Sequence, residues 1–175
     1  MKAIQTCVIG GLLGGIVLFI WGSVSWMVLP WHNATIKSFK YDVAVEQSIL
    51  ANTDGAGLYL LPNCHSQDHK KANQPFGFFV FSPQGYGSMT KGMVYYFLIE
   101  VLGAFLVTCL LIYANISTYR LKVAFIILLA VAMGVICKLP DWNWWKFPLD
   151  FVLVNIADLV IGWFLAGLVI AKIVK

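Results

Sequence analysis

The sequence predicts an all-α membrane protein: a four-transmembrane-helix bundle with a small extracytoplasmic α/β cap between the first two helices. Hydrophobic residues make up 60% of the chain and charged residues 11%, a balance far from that of a water-soluble domain. Mean hydropathy is +0.81. Apolar runs fall at residues 8–29, 93–113, 121–137 and 149–173, each near the roughly 20 residues that carry a helix across a bilayer. A polar insert at 30–91 separates the first two. The whole of 1–175 is therefore expected to be one integral membrane domain.

Along the chain, Lys2 followed by an apolar stretch has the look of a secretory signal, with Ser23-Val24-Ser25 at the place of a cleavage site. The run from Val8 to Leu29 is too long and too aromatic for that, so it is expected to stay as the first span. Gly11, Gly15, Leu18, Gly22 and Ser25 share one helical face, and small residues let a second helix approach closely in lipid. Pro30 and Trp31 should end the span at a water interface.

Within the insert, Asp42 is placed to cap a short helix over Val43–Ala51. The aromatic and aliphatic runs 57–61 and 76–81 predict two strands of a hairpin, with Asn63 to Asn73 as its polar tip. In the second span Glu100, Ala104, Thr108 and Asn115 fall within an arc of about 80°. The turn Asn115–Lys122 leads to the third span, where Ala130 and Gly134 make a small-xxx-small pair. Lys138 to Pro148, with Trp142, Trp144 and Trp145, is expected to be an interfacial connection. The fourth span puts Asn155, Asp158, Gly162 and Ala166 on one stripe.

Lys2, Arg120, Lys122, Lys172 and Lys175 mark one side, which places both termini in the cytoplasm and the insert 30–91 in the periplasm of a bacterial inner membrane. The net charge of +4 is dispersed, with no basic run longer than Lys70-Lys71, so nucleic acid is not an expected partner. Cys7, Cys64, Cys109 and Cys137 form no CxxC motif. No GxSxG, HExxH or P-loop occurs. Neither an enzyme nor a cofactor is expected.

Three stretches resemble a family of small, largely uncharacterised bacterial inner-membrane proteins with four spans. They are Trp21-Gly22-Ser23-Val24-Ser25-Trp26-Met27-Val28-Leu29-Pro30, then Gly57-Leu58-Tyr59-Leu60-Leu61-Pro62, then Trp145 through Asn155-Ile156-Ala157-Asp158-Leu159-Val160-Ile161-Gly162-Trp163. The resemblance implies the topology and brings no activity. It also implies histidine at the position of Trp26 in other members, so a polar or metal role there does not extend to this chain.

Glu100 and Asp158 lie roughly 10 and 15 Å from the outer ends of their spans at 1.5 Å per residue. Intramembrane acids commonly mark ion or proton paths, and they also occur as hydrogen-bonded seams that fix helix register. Ser23, Ser25, Thr108 and Asn155 are the polar partners expected for such a seam. The leading expectation is an accessory or structural subunit that docks to a protein partner or a second copy. It would use the glycine-rich faces (Gly11, Gly15, Gly22, Gly162, Ala166) and the outer cap. A competing expectation is a small proton-coupled carrier or channel using Glu100 and Asp158. A further one is metal binding by Cys64, His65, His69 and His32, all placed on the outer side.

Overall fold

The computed structural model describes residues 2–62 and 74–174. Helices occupy Lys2–Met27 (α1), Asp42–Ala51 (α2), Met89–Tyr113 (α3), Tyr119–Trp145 (α4) and Leu149–Ile173 (α5), and strands Gly57–Leu61 (β1) and Gly77–Phe81 (β2). Four of them, α1, α3, α4 and α5, are long and apolar enough to cross a membrane. The chain divides into two compact units, residues 1–36 with 90–175, and residues 37–89.

In the helical unit, glycine decides which helices touch. A Cβ built on Gly15 would lie 2.6 Å from the Val101 Cα, and one on Gly11 2.8 Å from the Phe105 Cβ. The backbones of α1 and α3 are thus in direct contact, an approach that only a missing side chain permits. On its other side α1 meets α5, where Gly14 faces Ile170 and Gly162 receives Leu18 and Trp21. Lower residues of α1 meet higher residues of both partners, so each pair is antiparallel. Gly134 of α4 meets Ile156, Gly167 meets Ile126, and the Lys122 ammonium donates to the Val174 carbonyl at 2.6 Å. Hence α4 also runs against α5, and the four helices alternate in direction. Leu18, Ala104, Leu111, Ile126, Trp163 and Ile170 form the buried core between them. Ile20, Leu106 and Leu128 are more than half exposed on the outer faces of these helices.

Several boundaries differ from those read in the sequence. The third span does not stop at Cys137. Instead α4 continues through Pro140 to Trp145, and the connection to α5 is reduced to residues 146–148. Proline removes one hydrogen bond without ending the helix here. The helix closes on Lys146 in the left-handed region (φ 60°), where the Phe147 N–H reaches the Asp141 carbonyl at 3.2 Å. Asn115 also leaves the polar stripe expected for it. It sits past the end of α3 with φ 49°, the left-handed residue that stops the helix.

In the second unit Asp42 is the first residue of α2 rather than its cap; the cap position is Tyr41, whose side chain makes no capping bond. The Asp42 charge still suits the positive end of the helix. The strands β1 and β2 pair antiparallel from Gly57↔Phe81 to Leu61↔Gly77, one residue shorter on the second strand than expected. The hairpin tip lies outside the described residues.

A candidate polar site at one end of the helical unit

The site begins with the face of α1 that carries Trp21 and Ser25, one turn apart. A tryptophan N–H inside an apolar helix requires an acceptor, and a carboxylate there requires donors. The two needs meet. The Trp21 Nε1 donates to the Asp158 Oδ1 at 2.7 Å and to the Asp158 carbonyl at 3.1 Å.

After Met27 the chain turns at residues 28–31 and folds His32 back against the helix it has just left. A 3₁₀ turn at Asn33–Thr35 follows, and the Thr35 hydroxyl donates to the His32 carbonyl at 2.8 Å. His32 is wholly buried. Its Nε2 stands 3.1 Å from the Ser25 Oγ and 3.5 Å from the Asp158 Oδ2. The Trp31 indole donates to the same Ser25 oxygen at 3.0 Å. The Trp26 ring stacks on the imidazole, centroids 3.8 Å apart and planes within 9°. The Nδ1 is buried without a hydrogen-bond partner in the protein.

Asp158 also lines a cavity of about 220 Å³, together with Trp21, Trp26, Tyr96, Glu100, Lys138 and Asn155. Tyr96 and Glu100 lie one turn apart on α3, both facing this cavity. The Asn155 amide donates to the Phe151 carbonyl at 2.7 Å. Three helices thus bring two acids and one lysine to a common space.

Among the residues picked out in the sequence, Glu100, Asn155 and Asp158 share this cavity, and Ser25 is linked to it through His32. Ser23 and Thr108 stand apart. Their hydroxyls donate to the Phe19 and Ala104 carbonyls of their own helices, at 2.8 and 2.7 Å, and Thr108 packs against Gly10 rather than beside an acid. His32, expected as a loop ligand on the outer side, is instead wholly buried, with the Ser25 Oγ at 3.1 Å and the Asp158 Oδ2 at 3.5 Å from its Nε2. Cys64, His65 and His69 lie outside the described residues. No group of three or more potential metal ligands occurs among the described residues. Gly11, Gly15, Gly22 and Gly162 are filled by Phe105, Val101, Tyr96 and Trp21 of the same chain, and Ala166 is buried. Those faces are occupied from within the chain, as helix-packing positions.

Sequence reasoning did not reach Trp21, Tyr96 or Lys138 as site residues. Trp21 and Tyr96 carried a usable signal, each lying one turn from a polar residue already singled out. Lys138 carried none, because Pro140 hid the continuation of α4.

Ser25, His32 and Asp158 are the residue types of a nucleophilic triad without its connectivity. In that device the base is oriented through one ring nitrogen and takes the serine proton through the other. Here both partners crowd Nε2, and Ser25 is wholly buried. The arrangement suits holding and passing a proton better than acyl transfer. No protein-family model, curated protein or solved structure matches the chain.

Proposed function

We propose that this protein is a small proton-exchanging carrier or channel of the bacterial inner membrane, with the Glu100–Asp158 cavity as its working site. The observation that carries the reading is the joint lining of one cavity by Glu100, Lys138 and Asp158 from three different helices. Ionisable groups are costly in a bilayer and face the bundle interior or water where they are used. Two carboxyls, an ammonium, an amide and a phenol around about 220 Å³ suit a few waters or a small polar solute. The inner-membrane assignment, with termini in the cytoplasm and the insert in the periplasm, rests on the basic residues at the span ends and on the family resemblance.

The test is proton flux into proteoliposomes that enclose a pH-sensitive dye. Wild-type protein should dissipate an imposed pH gradient faster than empty vesicles. Glu100→Gln and Asp158→Asn should each lower that rate. A rate unchanged in the double amide variant refutes the reading.

An accessory role has one observation in its favour. The second unit leaves Leu58 and its cross-strand neighbour Val80 exposed, with Tyr86 almost fully so, and such apolar surface suits a protein partner. A monomer that purifies alone in mild detergent and carries flux argues for the cavity reading instead.

A further inference from the structure

We propose that His32 is a proton relay that loads at Nδ1 and delivers to Asp158 through Nε2. The proposal rests on the cavity reading above and deepens it by naming the residue that connects Asp158 to the end of the bundle.

The two ring nitrogens differ in surroundings. Nε2 is 3.5 Å from an Asp158 oxygen and 3.1 Å from the Ser25 hydroxyl, whereas Nδ1 is buried and unpartnered. A neutral ring with its hydrogen on Nε2 donates towards the carboxylate and leaves Nδ1 as a free acceptor. The opposite tautomer would set a lone pair against a carboxylate oxygen and leave a buried N–H without an acceptor. The Nε2–H form is therefore the resting one.

A proton arriving at Nδ1 gives an imidazolium flanked by the Asp158 carboxylate and the Trp26 ring face, both of which favour a cation. Loss of the Nε2 proton to the Asp158 Oδ2 then returns a neutral ring and a neutral carboxyl. One N–H bond forms, one breaks, and the proton ends on the cavity wall. Asp158 is the charged group against the ring. The next ones, Glu100 and Lys138, are across the cavity that Asp158 lines, and the remaining contacts are Ser25, Trp26 and Trp31.

Because Nδ1 is shut in, loading requires movement of the short segment 28–35 that carries the ring. That segment is tied by the Ala34 N–H to the Pro30 carbonyl at 2.9 Å and by Thr35 to His32. Proton entry is consequently coupled to opening at this end of the bundle.

Two measurements on the full-length protein decide the matter. In the proteoliposome assay His32→Asn, which keeps a polar group of similar reach and cannot shuttle, should lose flux on the order of 10²-fold, the lower end of what a positioned proton-transfer group supplies. Loss in both His32→Asn and Asp158→Asn supports the relay. Loss in Asp158→Asn with flux retained in His32→Asn overturns the relay and leaves the cavity reading standing. No flux in wild type removes both. Nitrogen-15 NMR of histidine-labelled wild-type protein in nanodiscs gives a readout independent of whether the variant folds. The Nε2–H tautomer is expected for neutral His32, and an Nδ1–H tautomer overturns the proposal.

Discussion

Replacing Gly15 by alanine tests the central contact of the helical unit. The new Cβ would sit 2.6 Å from both the Cα and the Cγ2 of Val101 and 2.8 Å from its backbone nitrogen, whereas ordinary contact begins at 3.4 Å. The valine side chain can rotate away, but its backbone cannot. To recover the missing 0.8 Å, α1 and α3 must part along the whole Gly11–Gly15 seam. Overpacking of this kind costs about 1–3 kcal/mol. Alanine returns about 0.5–1 kcal/mol through its better helix propensity, which leaves a net loss of up to about 2.5 kcal/mol. Gly103→Ala is the matched control in the same bundle, since its Cβ would meet Trp163 at an ordinary 3.7 Å, so only the propensity gain should show. The assay is reversible unfolding by sodium dodecyl sulfate from mixed micelles, followed by circular dichroism. Equal stability of Gly15→Ala and Gly103→Ala would refute direct backbone contact between α1 and α3.

Trp21→Phe keeps most of the ring and removes the 2.7 Å bond to Asp158; a hydrogen bond to a charged group is worth about 1.5–3 kcal/mol, and the same unfolding assay should show a loss of that order. Trp144→Phe, at an exposed position, should change little, and equal effects of the two would argue against the Trp21–Asp158 bond. Lys122→Met removes the donor that closes α5 at the Val174 carbonyl, so amides in the last turn of α5 should exchange with solvent roughly tenfold faster, the equivalent of about 1.4 kcal/mol. Unchanged exchange there would mean that the lysine does not hold that helix end.

The four long helices were legible in the chain because lipid-spanning length and apolar composition are local properties, carried by consecutive residues such as Leu149–Ile173. The hairpin was legible for a similar reason, as two short β-rich runs. The end of α4 was not, since proline acts against a helix locally, yet α4 continues past Pro140 to Trp145. The glycine face of α1 was visible as a face. What fills it was not, because a stripe of small residues fits a helix of the same chain as well as one from another.

His32 shows the same division more sharply. Its sequence neighbours, Pro30, Trp31 and Asn33, describe a turn at a water interface, and the charged residues within ten positions, Lys37, Lys40 and Asp42, are all exposed. The charge that His32 meets, on Asp158, is more than a hundred residues away. By itself the sequence determined which segments are apolar, how long they are and where acids interrupt them, since each is fixed by residues adjacent in the chain. Only the tertiary structure decided which polar groups meet, because the packing of α5 on α1 through glycine brings Trp21 and His32 to 2.7 and 3.5 Å from the Asp158 carboxyl.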